Sequence, residues 1–143
     1  MKKSKKVIKN FIKETNEMKN IVITYVMFIA MCVLLFFASR YIVLTCDKLL
    51  EVTDKMESKI VDEQWDDSYI LSFQLLDIYE GHVKNMTLFL NHSDVAIIYS
   101  EVVKLTQYCK EEEKTEALAT LHLIKTILQE VRDLETISIS NIF

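Results

Sequence analysis

Residues 21–39 have the sequence IVITYVMFIAMCVLLFFAS, and this stretch decides the fold. Its nineteen residues include no charged residue, no proline and no glycine. A helix of this length rises about 28 Å, which matches the hydrocarbon core of a bilayer. A soluble protein seldom needs a helix of this length that is apolar on every face. The stretch therefore predicts one membrane-spanning helix.

The apolar stretch is predicted to be an uncleaved signal-anchor. The apolar region of a cleaved signal peptide is shorter and is followed by small residues. Here the stretch ends in Phe36 and Phe37, which are bulky where a peptidase needs small side chains. Lipoprotein processing at Cys46 is the other possibility, but Thr45 precedes this cysteine where such sites carry a small residue.

Charge is divided sharply between the two sides of this helix. Residues 1–20 contain seven lysines and two glutamates, whereas residues 40–143 contain ten basic and nineteen acidic residues. Because lysine and arginine are retained on the cytoplasmic side, the N-terminus is expected inside and the C-terminal domain outside. Interfacial aromatic and basic residues then mark the membrane boundaries. They are Lys13, Lys19, Tyr25, Arg40 and Tyr41.

Beyond Arg40 the apolar residues keep helical steps of three and four residues. No helix breaker interrupts the first of them, so we expect the membrane helix to continue to about Ile60. Three further stripes follow, which are Trp65–Leu90, Val95–Cys109 and Ala117–Val131. Helices joined by short turns pack as antiparallel neighbours. The predicted fold is all-α, with one transmembrane helix continuing into a small antiparallel helical bundle.

This topology places the connecting turns at two ends. The acidic turns 62–67 and 111–113 are expected at the membrane-distal tip, and the turn Asn91–Asp94 with the C-terminal tail at the membrane-proximal end. The predicted segments are a basic cytoplasmic segment (1–20), the transmembrane helix (21–39), an extracytoplasmic helical bundle (40–136) and an extended apolar tail (137–143).

Local signals complete the predicted fold. Ser93 or Asp94 is expected to cap the third helix, and Thr115 the fourth. Gly81 lies within the second stripe, where it would permit a close helix crossing or a slight kink. The same stripe carries an aromatic row, Trp65, Tyr69, Phe73 and Tyr79, for which core packing is favoured over a ligand-binding surface.

The sequence contains no recognisable catalytic or metal-binding pattern. His82, His92 and His122 have no metal-ligand spacing, and the acidic turns lack a calcium-binding loop. No phosphate loop or nucleophile motif occurs, so we predict no enzyme, no cofactor and no small-molecule substrate. An acidic domain gives no reason to expect nucleic-acid binding. The pairing of Cys46 and Cys109 stays open, with two free thiols favoured.

The tail is the part of the chain that most resembles a binding element. Ile137, Ile139, Ile142 and Phe143 are apolar residues that would reduce solubility unless they dock. They are expected to fill a groove of the bundle, enter lipid headgroups or bind a membrane partner, with His92 at the same end.

The C-terminal half resembles an uncharacterised family of small membrane-anchored proteins from spore-forming Gram-positive bacteria, domain of unknown function 4363. The resemblance covers about residues 64–143. Its features are Trp65, Asn91–Asp94, Leu105 with Tyr108, Glu116–Leu118 and Ser140–Phe143. Tyr79 stands where relatives often carry a second tryptophan. The resemblance implies the anchor-plus-helices layout and a membrane partner, but no activity.

These observations predict a single-pass membrane protein that acts as a non-enzymatic interaction or accessory module at the cell envelope. Its expected partners are the lipid bilayer and a membrane or envelope protein. The alternative is an extracytoplasmic ligand-sensing domain in which the aromatic row lines a pocket between helices.

Overall fold

The computed structural model describes the backbone of residues 2–142 and the side chains of residues 18–136. Four α-helices follow one another, and within these backbone limits no strand occurs. They are α1 (Lys2–Val61), α2 (Trp65–Met86), α3 (His92–Lys110) and α4 (Lys114–Ile142). The chain divides into two units, Met1–Phe37 and Ala38–Phe143. The predicted all-α fold, with one long apolar helix at the N-terminus followed by a helical bundle, is confirmed.

Helix α1 is longer at its start than the sequence predicts. Its end at Val61 agrees with the expected end near Ile60. Its start at Lys2 places the basic segment and the apolar stretch in one helix of 60 residues. This follows from the absence of proline and glycine before Gly81, because nothing in the sequence interrupts the backbone hydrogen bonds of the helix.

The core of unit Ala38–Phe143 is built from the stripes predicted for α1, α3 and α4. The central residues of these stripes are all buried. They are Ile42, Leu49, Val52, Met56 and Ile60 on α1, Val95, Ile98, Val102, Leu105 and Cys109 on α3, and Ala117, Leu121, Ile124, Leu128 and Val131 on α4. Leu118 and Ile127, predicted to widen the fourth stripe, are half-buried against the core. Helix α3 packs against both α2 and α4. Uninterrupted three- and four-residue steps fix one face of each helix, so the pattern alone identifies this core.

Helix α2 buries a face slightly rotated from the predicted stripe. Tyr79 and Met86 are buried as predicted, and five further members of the stripe are half-buried against the core, which are Trp65, Tyr69, Leu76, Val83 and Leu90. Its buried residues are Ser68, Ser72, Leu75, Tyr79 and Met86. The hydroxyls of Ser68 and Ser72 donate to the carbonyls of Gln64 (2.9 Å) and Tyr69 (2.7 Å). Because their hydrogen bonds are made within the helix, these serines are buried without an unsatisfied group. Phe73, assigned to the core by spacing, is 48% exposed.

Within the described ranges, no neighbouring helix approaches Gly81 closely. No atom lies within 4 Å of the position that a β-carbon would take, apart from the helix itself. The expected close crossing at this glycine is therefore wrong, and α2 continues past it to Met86.

Two contacts at each end show that α1 runs antiparallel to both α2 and α4. At one end Lys59 Nζ lies 2.8 Å from Asp67 Oδ2 on α2. Lys114 Nζ, at the start of α4, donates to Val61 O over 2.8 Å. We call this end the distal tip, and it comprises residues 61–67 and 110–114. The acidic turns share it, as predicted.

At the opposite end, the Ser39 hydroxyl donates to Glu135 Oε2 over 2.6 Å, joining α1 to α4. The Tyr41 hydroxyl and His82 Nδ1 form a hydrogen bond of 2.6 Å, joining α1 to α2. We call this end the basal end, and it comprises residues 38–41, 82–92 and 132–136. These contacts orient α2 and α4 antiparallel to α1. Helix α3 connects the basal end to the distal tip, so the four helices alternate in direction.

An ion-pair network joins α1 to α4 between the two ends. Lys125 Nζ lies 2.7 Å from Asp54 Oδ1 and 2.6 Å from Glu57 Oε2. The hydrogen bond from Lys125 lowers the pKa of Glu57, and those to Asp54 and Glu57 raise the pKa of Lys125. His122 Nε2 lies 3.2 Å from the other oxygen of Glu57. The network fixes the register of α4 against α1.

Both predicted helix caps are placed differently. Asn91 caps α3, since its side chain accepts from the Ser93 amide over 3.1 Å. His92, Ser93 and Asp94 therefore belong to α3 itself. Helix α4 begins at Lys114, so Thr115 lies inside its first turn. Several polar residues in a row can each serve as a cap, and only the backbone geometry decides among them.

The two turns of the distal tip share an unusual backbone conformation. Glu63 and Glu112 have φ values of 56° and 60°, in the left-handed region that favours glycine. After each of them, the next amide closes the preceding helix: Gln64 N donates to Lys59 O (2.9 Å) and Glu113 N to Tyr108 O (3.0 Å). Both helices therefore end in the same hydrogen-bonded motif with glutamate in place of glycine.

We expect Glu112→Gly to stabilise the bundle by about 0.5–1 kcal/mol, because glycine adopts this conformation without a β-carbon clash. Glu111→Gly is the matched control, since Glu111 has a φ of −87° and gains nothing from glycine. Denaturant unfolding of the full chain in mild detergent measures both. A Glu112→Gly protein less stable than the parent would contradict the strain assigned to this turn.

The C-terminal segment is helical, so the predicted extended tail is wrong. Helix α4 continues to Ile142. Ile139 and Ile142 follow Leu128 and Val131 by eleven residues, which is three helical turns. The apolar residues of this segment thus fit a helical period as well as an alternating one. Because the segment directly continues α4, it adopts the helical conformation. Phe143 and the side chains of 137–142 lie outside the described residues.

Candidate functional site

One helix in the described part of the chain could cross a membrane. From Met18 to Val61, α1 is long and apolar enough by length and composition. None of the 18 consecutive residues with the highest mean hydropathy in this helix is buried. The core helix of a soluble protein would bury such residues against other helices or strands. Lys19 and Tyr25, predicted at the inner boundary, are exposed, and the side chain of Lys13 lies outside the described residues.

The outer boundary predicted for this helix lies at the basal end. Arg40 is exposed there. Tyr41 is half-buried, and its hydroxyl accepts from Asn85 Nδ2 over 3.1 Å as well as contacting His82. The rings of Tyr41 and His82 pack edge to face at 5.6 Å. Tyr41 thus ties α1 to α2, a role that the sequence analysis did not assign to it.

The corner between α2 and α3 exposes two large apolar side chains that the sequence analysis missed. Leu88 is 74% exposed and Phe89 is 44% exposed. They lie between the buried Met86 and the half-buried Leu90. A signal for them was present, because two adjacent apolar residues fall off the helical stripe directly before a polar cap. We call residues 87–90 the basal corner.

The remaining predicted partner-binding residues are only partly described. His92 is the first residue of α3, is exposed, and lies at the basal end beside the basal corner. Ile137, Ile139 and Ile142 belong to the last turns of α4, but their side chains, with Phe143, lie outside the described residues. Their joint surface with His92 therefore stays a prediction.

The distal tip contains an open cleft of about 400 Å³. Its lining is polar and acidic, and consists of Glu63, Gln64, Trp65, Asp66, Asp67 and Glu112. Among the described side chains, no group of three His, Cys, Asp or Glu residues could hold a metal ion. Acidic residues are common at such helix ends because they favour the N-terminal turn.

The aromatic row of α2 does not line one shared surface. Tyr79 is fully buried, and its hydroxyl donates to the carbonyl of Val95. Trp65 borders the cleft at the distal tip. Tyr69 is half-buried against the core and packs edge-on against the exposed Phe73, with ring centres 4.9 Å apart. Tyr79, Tyr69 and Trp65 therefore pack in or against the core, as the core-packing interpretation predicts, whereas Phe73 is exposed.

Cys46 and Cys109 are free thiols buried in the core. Burial raises the pKa of Cys46 to about 12, with a further contribution from the neighbouring Asp47 carboxylate. Burial likewise raises the pKa of Cys109 to about 11. Since the thiolate is the reactive form, neither side chain is suited to act as a nucleophile in the folded state.

These thiols should resist maleimide in the folded protein and react on unfolding. The raised pKa values reduce the thiolate fraction of Cys46 by roughly a thousandfold and of Cys109 by roughly a hundredfold at a pH of about 8. Mass spectrometry of a Cys32→Ala protein measures the labelling. Ser100→Cys, at an exposed position of α3, is the positive control. Rapid native labelling of Cys46 or Cys109 would contradict the buried assignment.

Most of the chain, including the whole bundle, matches a known protein family. The family described as Domain of unknown function (DUF4363) matches residues 36–142. This range begins at the end of the apolar stretch and includes the whole bundle. Neither the curated proteins nor the solved structures gave a match.

Proposed function

The chain belongs to the DUF4363 family. We propose that it is a single-pass membrane protein whose helical bundle acts as a non-enzymatic interaction or accessory module at the cell envelope. One observation carries the proposal. The apolar stretch is exposed along α1, and the same helix continues into a packed bundle. The proposed partners are the bilayer and another membrane or envelope protein.

The charge distribution supports an inside N-terminus. Seven lysines precede the apolar stretch, while the bundle carries an excess of acidic residues. Basic residues next to a spanning helix are retained in the cytoplasm, and these lysines lie within twenty residues of the stretch. In this orientation the helical bundle beyond Arg40 is extracytoplasmic.

The surface of the bundle supports an interaction role. Several large apolar side chains are exposed outside the apolar stretch of α1. They are Leu44, Val61, Ile70, Phe73, Leu88, Phe89, Ile97, Tyr99, Val103, Leu123 and Leu134. Scattered apolar residues are ordinary on a soluble protein, but the sequence that follows Thr136 carries four more, which are Ile137, Ile139, Ile142 and Phe143. We propose that this segment contacts the partner.

Ligand sensing, the alternative function, has less support. It requires aromatic residues that converge on a pocket between helices. Tyr79 instead fills the core, and Phe73 lies on the outer surface. No observation on the described residues favours a second function.

The orientation can be tested with protease added to intact cells. We expect loss of the bundle beyond Arg40 while the N-terminal segment stays protected. Permeabilised cells, in which both sides are cleaved, are the control. Complete protection of the bundle in intact cells would overturn the proposed topology.

The interaction role can be tested by in vivo cross-linking followed by purification of the full chain. Replacing Ile137, Ile139 and Ile142 by serine should remove the cross-linked partner. Replacing Ser138 and Ser140 by alanine is the matched control, because it changes the same turns without removing apolar side chains. Identical partners for all three proteins would contradict the role of the C-terminal segment.

A further inference from the structure

The basal corner is a well-defined structure that presents Leu88 and Phe89 outward. The amides of Phe89 and Leu90 both donate to Met86 O, over 3.0 and 2.8 Å. Met86 is fully buried, and Asn91 caps the next helix. The two exposed side chains are therefore held between fixed points, and their exposure does not result from a frayed helix end.

The position of the basal corner follows from the contacts of α2 with α1. Tyr41 is hydrogen-bonded to both His82 and Asn85, so these residues lie at the same level of the bundle. Helix α2 runs antiparallel to α1 and ends at Met86, one residue beyond Asn85. The corner therefore lies beyond Tyr41, at the end of the bundle where Ala38 and Ser39 lie.

We propose that the basal corner inserts Leu88 and Phe89 into the bilayer interface, as a second membrane contact of the protein. This inference rests on the proposed function, because α1 must span the bilayer for the basal end to face the lipid. The outer boundary of the span is then near Arg40, at the level of the corner. The spanning helix and the corner together restrain the bundle at two points.

The surroundings of the corner favour lipid over a protein partner. Lys84 precedes it in the last turn of α2, and Asn91 and His92 follow it. An apolar tip flanked by basic and polar residues is typical of segments that lie at the headgroup boundary. Two side chains are also far smaller than a stable protein interface, which buries roughly 800 Å² on each partner.

The test uses the full chain in vesicles of phosphatidylcholine with a minority of phosphatidylglycerol. In a Cys32→Ala background, an environment-sensitive fluorophore is attached at Phe89→Cys, and quenching by lipids brominated near the headgroup is measured. Val103→Cys is the matched control, because Val103 is 39% exposed and lies on α3 further from the basal end. We expect quenching to be several-fold stronger at position 89 than at position 103.

A third probe at Met31→Cys separates this inference from the proposed function. Quenching at position 31 by lipids brominated deep in the acyl chain reports that α1 spans the bilayer. Quenching at 31 with equally weak quenching at 89 and 103 would overturn the corner contact alone. Absence of quenching at 31 would overturn the span and, with it, the corner contact. Far-ultraviolet circular dichroism of each labelled protein verifies that the bundle is folded.

Discussion

Replacing Ala30 and Met31 by lysine should release the protein from the membrane. Each lysine at the centre of a spanning helix costs about 2.5–3.5 kcal/mol, so the pair costs about 5–7 kcal/mol of insertion free energy. Both positions are exposed in the structure, and neither substitution removes a buried side chain. The loss should therefore arise in the membrane, with the bundle still folded.

Carbonate extraction of membranes followed by quantification of the pellet and supernatant measures this effect. Ile97→Lys with Val103→Lys is the matched control, since it adds the same charges at exposed apolar positions of the bundle. The control protein should stay in the pellet. Retention of the Ala30→Lys, Met31→Lys protein in the pellet, or recovery of the parent in the supernatant, would contradict the spanning assignment.

The parts of the fold that the sequence predicted are those that local periodicity determines. Leu105 and Leu121 are fully buried because each lies on an apolar stripe without a competing stripe on the same helix. The end of α1 at Val61 was predictable for a similar reason, since the apolar steps stop where the acidic residues begin. Local patterns of this kind need no knowledge of the neighbouring helices.

The register of α2 could not be predicted in this way, because two stripes compete on it. One contains the aromatic residues Tyr69 and Phe73, and the other contains Ser68 and Ser72. Hydrophobicity favours the first, but the serines are small and satisfy their hydroxyls within the helix, so they are buried while Tyr69 is half-buried and Phe73 is exposed. Which face of α2 is buried depends on the shape of the helices packed against it, and the sequence of α2 alone does not contain this information.

The contacts of the basal end were also beyond sequence analysis. Tyr41 and His82 are 41 residues apart in the chain, and no local pattern pairs them. The sequence places Tyr41 just after the apolar stretch, which is sufficient to suggest an interfacial aromatic residue. Only the antiparallel packing of α2 shows that its hydroxyl belongs to the bundle. The exposure of Leu88 and Phe89, in contrast, could have been predicted, because both residues lie off the apolar stripe of α2 in the sequence.

The second large effect is expected at Tyr79, the only member of the aromatic row that is fully buried. Tyr79→Ala should destabilise the bundle by about 3–5 kcal/mol, because it leaves a cavity and removes the contact with the Tyr99 ring. Tyr79→Phe keeps the ring and loses only the hydrogen bond to Val95 O, which costs about 1 kcal/mol. Phe73→Ala, on the same helix, should cost less than about 1 kcal/mol because Phe73 is half-exposed.

Labelling of Cys109 in the membrane provides the measurement, because this buried thiol reacts only when the bundle opens. A destabilisation of about 3–5 kcal/mol raises the open fraction by roughly a hundredfold to a few thousandfold, since about 1.4 kcal/mol is tenfold. Tyr79→Ala should accelerate labelling by that factor, whereas Phe73→Ala should accelerate it less than about tenfold. Equal acceleration in the two proteins would show that the row acts as one surface, as a ligand-binding stripe would. A large difference assigns Tyr79 to the core and leaves Phe73 available on the surface.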